Sequence, residues 1–183
     1  MTWLATVTTV EPSEEPVTVA EAKAHCRVTA SDEDTQFGNW IKAARQHIER
    51  ECSIRLVTQT VVMRGDGLTA LERLPVAPIQ SVSSVAYLDS NGATQTLAGA
   101  DYTAVLYGLD PTIRKAAGAM WPVTYDARDA VTVTAVAGYG AASAVPMDIK
   151  HAILLMVETM FHNRGSLAEL PEAVGYLLAP FRV

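Results

Sequence analysis

Along the first half of the chain, apolar positions recur with a helical period. "TVAEAKAHCRV" opens with Thr18 as an N-cap and Glu21 three residues on, the arrangement of a capping box, and predicts a short helix to about Cys26. "SDEDTQFGNWIKAARQHIEREC" repeats the signal, with Ser31 as the expected N-cap and acids in the first turn, where the helix dipole favours them. Phe37, Ile41, Ala44 and Ile48 then draw one apolar stripe along a helix of about five turns.

From Leu56 the period changes to two. "LVTQTVVMR" is rich in β-branched residues and predicts a strand. Asn91-Gly92 lies between two further runs of this type, a strong hairpin signal. "AVTVTAVAGYG" predicts another strand ending in a glycine turn. After Pro146 the helical period returns. Ile149, Ile153, Met156 and Met160 form a stripe, and Gly165 is placed to stop the helix. Pro171 suits the first turn of a last short helix, "PEAVGYLL", before Pro180. The reading is an α+β protein, a small antiparallel helical bundle of N- and C-terminal helices interrupted by a β-rich insert. Its expected parts are an extended arm over 1–16 that a neighbour would order, a first helical half over 17–55, the insert over 56–140, and a second helical half with a C-terminal docking segment over 141–183.

At 183 residues, with 49% apolar and 19% charged residues, the chain has the length and composition of one globular domain. No apolar run approaches the ~18 residues of a membrane span, and the first residues have no secretory pattern. The expectation is therefore a soluble intracellular protein in which Cys26 and Cys52 stay reduced. The net charge of −6 is uneven: residues 1–34 carry seven acids against Lys23 and Arg27, and the remainder is close to neutral. No segment clusters Lys and Arg as a phosphate-gripping surface requires. Tight nucleic-acid binding by the chain alone is thereby disfavoured, while a protein that surrounds DNA and lets it slide is not.

Candidate chemistry is sparse. His151, Glu158 and His162 fall within about 40° of one another on one helix face, but the two histidines are about 16 Å apart along the axis. Glu158 and His162 alone are two ligands, fewer than a metal site needs, so the polar face of an amphipathic helix explains them better. Gly138, Gly140 and Ser143 imitate the start of a dinucleotide fingerprint without its third glycine or an adjoining helix start. The acids at 32–34 do not open a calcium loop, because Phe37 and Ala43 stand where glycine and glutamate are needed. Pairing of His25 with Cys26, or His47 with Cys52, has no support from spacing. No P-loop, nucleophile elbow or HExxH occurs, and neither a catalytic residue nor a cofactor is expected.

The order short helix, acidic cap "SDEDT", long helix "FGNWIKAARQHIEREC", β insert and closing "VPMDIKHAILLMVETMFHNRGS…LPEAVGYLLAPFRV" resembles the head–tail connector (adaptor, or head-completion) proteins of long-tailed phages and gene transfer agents. The resemblance covers residues from about 17 to 183. It implies a non-catalytic virion protein without cofactor or metal, assembled in the bacterial cytoplasm and seated at the head–tail junction. Copies of the chain, commonly twelve, would form a ring under the portal protein, extend the DNA channel and give the tail an attachment surface. The implied partners are the portal ring, further copies of itself, a tail-proximal or stopper protein, and double-stranded DNA that passes without sequence-specific binding; no membrane is implied. A tail-terminator or other tail-tube component is the structural alternative, and a small metal- or nucleotide-dependent accessory enzyme a more distant one.

The chain's last segment carries more apolar side chains than one short helix hides. Leu170, Val174, Leu177, Leu178 and Phe181 fold back onto the protein's own core or dock on a partner; composition does not separate the two. With Arg164 and Arg182 they are the candidate portal or subunit interface.

Overall fold

The computed structural model describes residues 3, 4, 6–164 and 171–183. The fold is α+β, with antiparallel sheets and four α-helices among the described residues. In chain order these are β1 (Val7–Val10), α1 (Val19–His25), α2 (Asp34–Glu51), β2 (Gln59–Gly65), β3 (Ile79–Leu88), β4 (Thr94–Thr96), β5 (Tyr102–Val105), β6 (Thr112–Lys115), β7 (Val131–Ala137), α3 (Met147–His162) and α4 (Glu172–Leu178). The chain forms two compact units, one from residues up to Glu11 with Thr58–Gly138, the other from Pro12–Val57 with Tyr139–Arg182.

The β unit is a five-stranded antiparallel sheet in the order β1-β2-β7-β3-β4, with β5 and β6 forming a separate ribbon. Strands β2 and β7 explain the core. Their burial alternates with period two, so Val61 and Met63 point inward beside Ala135 and Val133, their register partners. Ile113 of β6 and Leu68, Leu71 and Leu74 of the connection between β2 and β3 fill the same core. Each such side chain contributes roughly 1.5–3 kcal/mol by leaving water. Gly65 faces the indole of Trp3: a Cβ there would lie 3.1 Å from the ring. Trp3 Nε1 in turn donates to the Arg73 carbonyl oxygen at 2.7 Å.

The Asn91-Gly92 turn closes the β3–β4 hairpin, with Gly92 at φ +78°. Asp89 holds it: one carboxylate oxygen accepts from the Asn91 and Ala93 amides, the other from the Gln95 side chain. These donors hold the Asp89 carboxyl below its ordinary range, Gln95 contributing most.

In the helical unit, α1 has the capping box expected of Thr18 and Glu21. The α2 stripe of Phe37, Ile41, Ala44 and Ile48 is fully buried. On α3, Ile149, Ile153 and Met156 are buried and Met160 is half-buried. Helix α2 packs on α1 and α3, and α3 on α1 and α4. Phe37 stacks on Phe161 with centroids 5.6 Å apart, and Trp40 meets both rings edge-on. Arg45, only 2% exposed, is enclosed by carboxylates, its Nε donating to Glu15 at 2.7 Å and its Nη1 to Glu49 at 3.0 Å. Glu49 also accepts the Leu56 amide.

Three expectations change. The arm is not left for a neighbour to order: Val7–Val10 joins the sheet beside β2, and Glu14 and Glu15 bond to the Ala142 amide and Arg45. Helix α2 starts at Asp34 with Glu33 as N-cap, because the Ser31 carbonyl accepts from Asp34 in a preceding turn. The strand expected from Leu56 begins at Gln59; Leu56 and Val57 are buried in the helical unit.

Candidate docking surface

The segment after α3 is tied to the two ends of α2. Arg164 reaches back from the end of α3 to Glu33, the N-cap residue of α2. Its Nη2 donates to Glu33 Oε2 at 2.7 Å, and its Nη1 to Oε1. The guanidinium also lies over the rings of Phe161 and Trp40, 4.8 and 5.3 Å from their centroids. This pairing lowers the Glu33 pKa below the ordinary carboxylate range and raises that of Arg164. At the other end, Arg182 Nη2 donates to Glu51, the last residue of α2, at 3.0 Å. Both pairs are solvent-exposed and span 131 residues of sequence.

Between these arginines, α4 divides its residues by face. Val174 and Leu178, one helical turn apart, are 3% and 2% exposed in a helix that packs on α3. In the single chain they belong to the core, one of the two places that composition left open for them. Leu177 and Phe181 are half-buried, and Arg182 is exposed. Leu170 lies outside the described residues. The opposite face holds Glu172, Ala173, Tyr176, Ala179 and Pro180, all exposed, with Tyr176 at 77%. Tyr176 was not among the sequence candidates; the signal for it is an aromatic residue on the helix face turned away from the Val174–Leu178 row.

The other candidates resolve into structural contacts. Glu158 meets His25 of α1, Nε2 to Oε2 at 3.2 Å, and His25 meets the His151 ring edge-on at 6.0 Å. His162 instead sits against Phe161. Among the described residues, no group of three or more His, Cys, Asp or Glu is placed to hold a metal ion. In the glycine turn, Gly138 and Gly140 have φ of +119° and +129°, and the Ala142 amide beyond them donates to Glu14 at 2.8 Å. A carboxylate thus occupies the position where a phosphate would need a donor. Asp34 pairs with Lys23. Cys26 and Cys52 are free thiols whose pKa values burial pushes up. Among the described residues, no helix is long and apolar enough to cross a membrane.

The described residues thus combine an α2 helix bonded at both ends to Arg164 and Arg182, an α4 helix with one buried and one exposed face, and an antiparallel sheet. Residues 16–115 match the sequence profile of the phage gp6-like head-tail connector proteins, and the chain belongs to that family. No curated protein sequence matches it. Among solved structures, a chain from the virion of a native gene transfer agent particle is 24% identical with a TM-score of 0.80, the match covering 98% of this chain and 96% of that one. A chain from the neck of the native particle, computed with C12 symmetry, is 25% identical with a TM-score of 0.75, covering 100% and 96%. A third, from the neck of the empty particle computed with C6 symmetry, is 23% identical with a TM-score of 0.79 and covers 98% and 96%.

Proposed function

We propose that the chain is a structural, non-catalytic subunit of the neck at the head–tail junction of a phage or gene-transfer-agent particle. Its copies form a ring, twelve in number, under the portal protein, extend the DNA channel and present the attachment surface for the tail. The observation that carries this reading is the match of essentially the whole chain, both units together, to neck chains of particles computed with C12 and C6 symmetry. Family membership supports it independently through residues 16–115.

The helical unit acts as a small antiparallel bundle that displays α4. The exposed Ala173–Tyr176–Pro180 face, with Leu177 and Phe181 at its margin and Glu172 one turn before Tyr176, suits docking on the portal: an aromatic anchor between small residues brings apolar area, and a charge belongs at the rim. Arg164 and Arg182 keep this segment on α2 and stand at the rim of the contact. The net charge of −6, without a basic cluster in the sequence, suits a conduit: each phosphate held by Lys or Arg adds a grip that impedes passage.

The test is genetic. Particles assembled without this chain should give heads that package DNA but carry no tails, and supplying the chain should restore tails. Tailed, infective or transfer-competent particles made in its absence would refute the reading. Alanine at His162 and Glu158 should leave assembly intact, since no step of the role uses them.

A further inference from the structure

The five-stranded sheet of the β unit ends in β1 on one side and β4 on the other. A sheet edge presents unpaired N–H and C=O groups, and proteins that stay monomeric blunt such edges with Lys, Pro, inward-pointing charge, bulges or very short strands. Neither strand carries Lys, Pro or charge here; the shortness of β4 and the bulge in β1 shorten these edges without closing them. Strand β1 reads Val-Thr-Thr-Val and β4 reads Thr-Gln-Thr. Val7 and Val10 are 57% and 58% exposed, and every residue of β4 is exposed.

The hydrogen bonding of β4 also points outward. The Leu97 amide donates to Val85 and the Asp89 amide to Ala93. Antiparallel pairing alternates, so Gln95 turns its backbone groups toward Tyr87 on β3, while Thr94 and Thr96 turn theirs away from the sheet. Strand β1 is bulged at Thr9, whose hydroxyl bonds to the Thr60 carbonyl. The bulge interrupts the outer edge of β1, so any added pairing is short, as it is for the three residues of β4.

We infer that β1 of one copy pairs with β4 of the next, so that the sheets of neighbouring copies join edge to edge around the ring. The inference rests on the ring reading above and adds its subunit contact. Two different edges make a heterologous contact, and a heterologous contact whose rotation closes generates a ring. Pairing of β1 with β1 would instead close a two-fold dimer and leave β4 unused. The match to chains from C12- and C6-symmetric necks favours the heterologous arrangement. Both strands are uncharged, so no like charges oppose each other across the new pair.

Cysteine pairs test this directly. Variants carrying one cysteine at Val7 or Val10 and one at Thr94 or Thr96 place the two thiols at opposite edges of the sheet. Four strand spacings, about 19 Å, separate them within one copy, beyond the ~7 Å Cα reach of a disulfide. Oxidation of the assembled ring, alone or on its portal, should then give a ladder of dimers, trimers and higher multimers on a non-reducing denaturing gel. The ladder should collapse on reduction and be absent from the parent protein with only Cys26 and Cys52. Val10→Lys with Thr94→Lys should block assembly, and Val10→Lys with Thr94→Glu should restore it. A ring that forms without any ladder overturns the inference and leaves the connector role standing. A product that stops at dimers, and appears with the β1 cysteine alone, shows β1–β1 pairing and also overturns it. Failure to form a ring even with the portal present removes both.

Discussion

Arg164 and Glu33 meet through two hydrogen bonds across 131 residues of sequence, joining the end of α3 to the start of α2. The contact fixes the end of α3 against the start of α2 within the helical unit. Arg164 is exposed and Glu33 about one-third exposed (35%), so water screens the pair and it acts more on geometry than on stability. Arg164→Ala should lower the melting temperature only slightly, and added salt should mask much of the effect. Arg164→Lys should not restore the loss, because lysine lacks the planar fork that bonds Glu33 while lying over Trp40 and Phe161. The sign of the pH effect follows from the Glu33 carboxyl, whose folded-state pKa is lowered. Its contribution is complete above the ordinary carboxylate range and is lost as pH falls through the lowered folded value. Urea melts of the wild type and Glu33→Gln across that acidic range should converge at the low end.

Arg45 behaves differently because it is buried. Removing one partner of a buried ion pair strands the other without water. Arg45→Ala should destabilise by about 3–5 kcal/mol, leaving Glu49 buried beside it. Glu49→Ala should cost more than Glu15→Ala, since Glu49 is the more buried and also accepts the Leu56 amide. Equilibrium urea denaturation measures all three.

The faces of α4 should separate stability from docking. Leu178→Ala opens space in the helical core and should cost about 2–5 kcal/mol. Tyr176→Ala, on the exposed face, should leave the unfolding curve within about 0.5 kcal/mol of wild type and weaken association with the portal. Thermal melts paired with a portal pull-down distinguish the two classes.

The β3–β4 turn offers a fourth check. Gly92 sits at φ +78°, so Gly92→Ala strains the backbone and should destabilise by roughly 1–2 kcal/mol. Asp89→Asn should loosen the turn by weakening the bonds to Asn91, Ala93 and Gln95. Faster amide exchange at Ala93 would report it, and the difference from wild type should shrink as pH falls through the lowered Asp89 pKa.

Much of this architecture was legible before any coordinates. The Thr18–Glu21 capping box, the Phe37–Ile48 stripe and the Asn91-Gly92 turn are local signals, set by residues within one element. What escaped depends on distant partners. Val7–Val10 is an edge strand only because β2 lies beside it, and β5 and β6 are too short to show a period. Glu158 finds His25 across 133 residues, which no spacing rule along α3 reveals. In the docking segment, Val174 and Leu178 have the same composition as interface anchors; their burial follows from the packing of α4 on α3. Tyr176 became visible once that packing fixed which face is left exposed.

The most direct test of the connector role is mass photometry of the purified protein, alone and mixed with its cognate portal ring. The account predicts one complex carrying about twelve copies per portal ring, lost when residues 171–183 are removed and weakened by Tyr176→Ala. A protein that stays monomeric under all conditions and shows no association with the portal would contradict it.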